Sequence, residues 1–326
     1  MLAVALALGA ALCYGLASAL QQHTAAREPT TESLRVGLLT RLVRRPLWLA
    51  GGGADLAGFA LQFAALSIGS LVVVQPILVL SLLFALPISA RLGGARGERE
   101  RVATPGRTSS AGGPASRNDG TSDPRRPPTA PHIPRTWVAG AALCAGVAVF
   151  LAAAAPSNGT GALPLEAWLA VLGASGGAAV VLAVGGRRLG GRLGPVLLST
   201  AAGILYALAA ALTKATGALL AEGLLRAIES WQLVALVAVG ATALLVSQSA
   251  FQAGSLELSL PSMTVVNPVV SILLGTLAFG EHVATAPLSL AGEVLGLAAL
   301  TVGVFALARS PAAQGAAHGA SPTRTQ

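Results

Sequence analysis

A chain of 326 residues with 10% charged side chains, 54% hydrophobic residues and a mean hydropathy of +0.71 has too little polar surface for a water-soluble globule, because soluble domains carry about 25% charged residues. This excludes a soluble enzyme and a disordered chain, and two cysteines are too few for a disulfide-built secreted scaffold. The net charge of +8 would point to nucleic acid, unless the basic residues are segregated by the folding of the chain.

Nine apolar segments follow one another along the chain. Each is about 18 to 26 residues long, enough to cross a hydrocarbon core of about 30 Å as a helix. The first is Leu2–Leu20. Ala17-Ser18-Ala19 mimics a signal-peptide cleavage site, but no Lys or Arg precedes the apolar run, so the segment reads as a span. In Thr31–Arg45, Leu34, Leu38, Leu39 and Leu42 alternate with Arg35, Arg41, Arg44 and Arg45 at helical spacing, which predicts an amphipathic helix lying on the inner membrane surface. Leu47–Ile68 and Ser70–Ala90 are the second and third spans. From about Gly93 to Arg135 the chain turns to Arg, Pro, Ser, Gly and Thr, a composition that predicts a disordered cytoplasmic loop. Thr136–Ala155, Leu165–Val184, Pro195–Leu220, Trp231–Phe251, Ser262–Phe279 and Leu288–Ala308 complete the nine.

Nine crossings place nineteen of the 21 basic residues in loops or termini on one side. Only Arg226 falls opposite, and Lys214 lies within the sixth span. The positive-inside rule makes the rich side cytoplasmic, with the N-terminus outside and the C-terminus inside. The excess of basic charge is then an orientation label, and no nucleic acid is expected.

The chain also repeats itself. Tyr14, Leu16 and Leu20 of the first span match Tyr206, Leu208 and Leu212 of the sixth. Further on, Trp48 meets Trp231, Gln62 meets Gln248, Gly69-Ser70-Leu71 meets Gly254-Ser255-Leu256, and Pro76 meets Pro261. Two four-span repeats are expected, at 1–155 (with the basic loop at about 93–135) and 194–309, joined by a fifth span and loop at 156–193. A disordered tail, 310–326, ends the chain. With one span between them, the second copy runs upside down relative to the first. The expected fold is an all-α polytopic membrane protein of nine helices in an inverted 4+1+4 repeat, a design used by secondary transporters.

The stretch Pro261-Ser262-Met263-Thr264-Val265-Val266-Asn267-Pro268, followed by Gly275, Gly280-Glu281 and Val302-Gly303-Val304-Phe305, resembles the last part of EamA-type transporters of the drug/metabolite transporter superfamily. Ala17-Ser18-Ala19-Leu20-Gln21-Gln22 and Pro46-Leu47-Trp48-Leu49-Ala50-Gly51 are similar to the nine-span, magnesium-transporter-like NIPA branch. The likeness covers nearly all the chain except the basic loop and the tail. It implies a carrier of amino acids, nucleotide sugars, cations or drugs.

Ionisable groups inside a bilayer cost at least about 2.5 to 3.5 kcal/mol each and are functional candidates. Asp55 and Glu293 are the acids well inside spans. Asp55, about 12 Å along its helix and so near the midplane, is the first choice for a proton- or cation-coupling carboxylate, weighed against a structural contact at the Gly51-Gly52-Gly53 bend. Glu293 lies in Gly292-Glu293-Val294-Leu295-Gly296, a face suited to close helix contact, and Glu281 is expected to cap the helix that follows it. Lys214 either snorkels to the outer interface or serves the pathway. The uncharged candidates are Gln62, Gln248, Gln75 beside Pro76 and Asn267 beside Pro268. Pro76 and Pro261 are matched helix-breaking positions of the kind that mark a transporter's binding site; Pro268 has no matched partner. Tyr14 and Tyr206 either line the cavity or pack at the repeat interface, with packing preferred. Glu222, Arg226 and Glu229 have the spacing of a solvated outer helix with internal ion pairs.

Cys13 and Cys144 show no metal or disulfide spacing, and no phosphate loop is present. No catalytic constellation, metal or cofactor is expected. The expected function is alternating-access transport of a small solute (metabolite, drug or cation) across the cytoplasmic membrane, with coupling to protons, around spans one, three, six and eight. A divalent-cation (Mg) carrier is the second choice within transport, because so few acids lie in the spans. A non-transporting anchor or regulator acting through the basic loop is the alternative from another class. The expected partners are a small-molecule or ion substrate and the lipid bilayer, with a homodimer allowed.

Overall fold

In the computed structural model, which describes residues 1–25, 45–85, 87–88, 135–156, 159, 163–191, 193–253 and 256–309, every regular element is helical. The elements are α1 (Leu2–Ala25), α2 (Pro46–Ile68), α3 (Leu71–Leu78), α4 (Arg135–Ala154), α5 (Leu165–Leu189), α6 (Leu193–Glu222), α7 (Trp231–Ala253), α8 (Leu256–Ala278) and α9 (Pro287–Ala308). A short helix, Leu224–Ile228, joins α6 to α7. All of the expected surface helix Thr31–Arg45 except Arg45, together with the basic loop up to 134 and the tail, lies outside the described residues.

Eight of these helices are long and apolar enough to cross a membrane, the architecture of a multi-pass membrane protein. The third expected span, Ser70–Ala90, is described as a shorter apolar helix, Leu71–Ala85. Its first stretch, α3, stops at Leu78, two residues past Pro76, and helix resumes at 81–85. Proline supplies no N–H to the ladder and frees the carbonyl four residues before it. The chain then tightens into i→i+3 turns, with Val79 N donating to Pro76 O at 3.3 Å and Leu80 N to Ile77 O at 3.0 Å. By contrast α8 runs unbroken through both Pro261 and Pro268. Pro46 and Pro287 open α2 and α9, where a missing N–H costs nothing. α5 ends at Gly190 and Gly191, both at φ +56°, a conformation glycine adopts without strain.

The centre of the bundle is α6, whose Leu205, Ala207, Leu208, Ala211 and Leu212 are buried against α2, α5, α7 and α8. The perimeter is apolar: Leu56, Val181, Val234, Leu245, Val294 and Leu295 are largely exposed. In water such a surface would be an association hazard; against lipid it is the surface required.

Helix directions follow from which residues meet. On α4 and α9, Leu143 faces Gly303, Phe150 faces Gly296 and Ala153 faces Gly292, so the two helices are antiparallel. On α3 and α8, Leu71 lies by Gly275 and Gln75 bonds Asn267, so these are antiparallel too. α6 and α8 are parallel, with Gly203 against Met263 and Val266 at one end and Lys214 bound to Glu281, just past α8, at the other. α1 and α2 are antiparallel, with Ala3 at Gly69 and Cys13 at Gly58. Followed through the bundle, these directions place Arg45, Arg187, Arg188 and Arg309 at one end, and Arg226 and the start of α1 at the other.

A candidate functional site between four helices

A cavity of about 370 Å³ opens between α1, α2, α6 and α7. Tyr14, Gln62 and Tyr206 line it, with Phe59, Thr213 and aliphatic residues of α6 and α7. Tyr14 and Tyr206 therefore line a cavity, where packing alone was the preferred expectation. Each tyrosine lies on one helix and bonds to the next: Tyr14 OH donates to Gln62 Oε1 at 2.6 Å, and Tyr206 OH lies 3.3 Å from Ser247 Oγ. Ser247 Oγ donates to the Leu244 carbonyl at 2.8 Å, which leaves it as the acceptor for Tyr206. The two bonds hold α1 to α2 and α6 to α7, each contributing on the order of 1 kcal/mol.

Asp55 lies on the same face of α2 as Phe59 and Gln62, one and two turns away. Gln248 is exposed and does not line the cavity; it is the neighbouring, buried Ser247 that meets Tyr206. The two differ by about 100° around α7, and an evenly apolar helix gives no phase from which to choose.

A second polar group joins α3 and α8. Asn267 Nδ2 donates to Gln75 Oε1 at 3.4 Å, and Ser271 Oγ to Asn267 Oδ1 at 3.4 Å. Gln75 is buried, and its Nε2 has no hydrogen-bond partner. Pro76 and Pro268 are the next residues along each helix, so the two polar side chains meet where both ladders lose a donor. Of the first, third, sixth and eighth spans, around which access is expected, two contribute to the cavity. α1 and α6 line the cavity, α2 and α7 complete it, and α3 and α8 close on each other.

The third constellation lies at the Arg226 end. Lys214 Nζ sits 2.5 Å from Glu281 Oε1 and 3.1 Å from the Gly69 carbonyl, and 5.5 Å from the Phe279 ring centroid. Glu281 also accepts from Leu71 N at 2.8 Å and Val72 N at 3.0 Å. It therefore caps α3, some 210 residues earlier in the chain, and not the following helix as expected. A carboxylate at a helix N-terminus satisfies orphan amides and meets the positive end of the dipole. Ser70 Oγ adds a bond from Val73 N at 3.2 Å. Lys214 is accordingly fixed in the protein and does not snorkel. Trp168 stacks edge-on against both Trp231 and Phe279, closing the knot from the α5 side.

Glu293 lies beside the close α4–α9 contact, and its Oε1 is buried without a hydrogen-bond partner. Glu222 and Arg226 form the expected exposed ion pair at 3.0 Å. Pro261 is buried within α8. Among the described residues, no three His, Cys, Asp or Glu side chains gather to hold a metal ion.

No known protein-family profile matches the chain, and no solved structure matches it. An uncharacterized protein of Corynebacterium glutamicum is 29% identical over 316 residues, 95% of this chain and 96% of that one. The likeness runs almost end to end, through the helices and the segments between them, and carries no stated activity.

Proposed function

We propose that this protein is a secondary carrier for a small solute, built as a nine-helix inverted repeat and working by alternating access. The observation that carries the reading is the antiparallel crossing of α3 with α8 and of α4 with α9. The sequence repeat pairs these helices as equivalents, and copies related by a two-fold axis in the membrane plane meet their equivalents antiparallel. The tyrosine bonds support the same pairing: each matched tyrosine reaches from the first helix of its repeat to the second, at Gln62 and at Ser247. The gathering of Arg45, Arg187, Arg188 and Arg309 at one end supports a cytoplasmic C-terminus and an outer N-terminus in the cytoplasmic membrane. The EamA-type resemblance agrees with this fold and leaves the solute open.

In this reading Asp55 is the coupling carboxylate, because it is an acid within a span and lies one and two turns from the cavity-lining Phe59 and Gln62 on the same face of α2. Purified protein reconstituted into liposomes is expected to take up solute faster under an imposed proton gradient. Asp55→Asn is expected to remove the gradient dependence at unchanged expression. Equal stimulation of variant and wild type would take the coupling role from Asp55, and no flux of any solute would count against the carrier.

A further inference from the structure

The lining of the cavity says what kind of solute suits it. The volume of about 370 Å³ is within the range of small-molecule sites. The described wall is mostly apolar, with three aromatic rings, Tyr14, Phe59 and Tyr206, one amide, Gln62, and the Thr213 hydroxyl. No described lining residue is charged. Asp55 lies one turn from Phe59 and two turns from Gln62 on the same face of α2, which puts a carboxylate next to the lining. The one lysine of the chain follows the lining residue Thr213, but its ammonium is held by Glu281 and the Gly69 carbonyl. Phe59 and Val237, which line the cavity, are exposed, so the cavity is open at these residues, and its apolar wall suits a solute with an apolar body.

We infer that the cavity takes an amphipathic organic monocation. Aromatic faces attract a cation, most strongly where it is desolvated, and a nearby carboxylate at low effective dielectric adds to that attraction and repels anions. The apolar wall receives the hydrocarbon part, and Gln62 offers a hydrogen-bonding amide. A divalent ion would find few oxygen ligands and no carboxylate in the described lining. This rests on the carrier reading only for the movement of the solute, since the binding itself depends on the cavity alone.

The test uses the full-length protein in detergent, with benzyltrimethylammonium, phenylacetate and magnesium chloride as probes in calorimetric titrations. Saturable binding of benzyltrimethylammonium is expected, with phenylacetate weaker by about tenfold or more. Asp55→Asn should weaken the cation by about tenfold, and Asp55→Glu should keep most of the affinity, which separates charge from a folding defect. Tyr14→Leu and Tyr206→Leu should each weaken it several-fold. The inference is overturned if phenylacetate or magnesium binds as well as the organic cation. It is overturned equally if the folded protein binds none of the three, or if Asp55→Asn leaves the cation's affinity unchanged. Uptake by proteoliposomes keeps the two claims apart. Binding without uptake contradicts the carrier and leaves the ligand class standing, whereas uptake of phenylacetate in place of the cation upholds the carrier and overturns the ligand class.

Discussion

With Lys214 Nζ 2.5 Å from one oxygen and the Leu71 and Val72 amides on the pair, Glu281 has its acceptor capacity filled by groups from two distant segments. Its side chain is fully buried and that of Lys214 is 12% exposed, so neither charge has water to fall back on. Removing one partner of a buried ion pair costs about 3–5 kcal/mol, because the other is left uncompensated. Lys214→Met is therefore expected to lower the unfolding temperature in detergent sharply, and the double change with Glu281→Gln to recover part of the loss. Arg226→Ala, which breaks an exposed pair, should shift stability by about 0.5 kcal/mol or less. Equal effects of Lys214→Met and Arg226→Ala would contradict the knot's role. Hydropathy could not foresee this contact. It shows Lys214 late in one span and Glu281 closing another, and the meeting depends on α6 and α8 being parallel neighbours. Tyr14, Gln62 and Tyr206 were legible, because an ordered set of uncommon residues recurs in both halves. Asp55 was legible because an acid in an apolar helix is costly. Ser247 was not, since serine in such a helix is unremarkable until its neighbour is known.

Among the helices, the pairing of α4 with α9 is the tightest. A β-carbon on Gly296 would lie 2.6 Å from the Phe150 amide nitrogen, and one on Gly303 would lie 2.7 Å from that of Leu143. Small residues let the backbones approach, which in lipid substitutes for a hydrophobic driving force. Gly296→Leu should force the helices apart at a cost of about 1–3 kcal/mol or more. The same change at Gly53, where an added β-carbon meets nothing within 4 Å, should be nearly neutral. Thermal unfolding of the two variants in detergent measures the difference, and similar midpoints would show that the close approach does not hold the bundle together. The small-xxx-small spacing around Glu293 announced this contact in the sequence. The early end of regular α3 had a visible cause in Pro76, but Pro261 and Pro268 carry the same signal and leave α8 continuous. A proline removes a bond; whether the helix then breaks depends on what its neighbours supply.

For the whole molecule, composition and hydropathy sufficed for the helical membrane class, and the spacing of arginines agrees with the way the helices run. What could not be read was which helices enclose the cavity. Every helix presents an apolar surface to lipid and to protein alike, so the sequence does not distinguish α2 and α7 from α3 and α8 as walls. The central claim is that the cavity between α1, α2, α6 and α7 faces each side of the membrane in turn. Ala209 lines that cavity, and Cys13 and Cys144 are the only native thiols. In a Cys13→Ala, Cys144→Ala, Ala209→Cys protein in sealed vesicles, a membrane-impermeant maleimide is expected to label Cys-substituted position 209 from either side, with the balance moved by a transported solute. Labelling from one side alone, unaffected by any solute, would contradict the account.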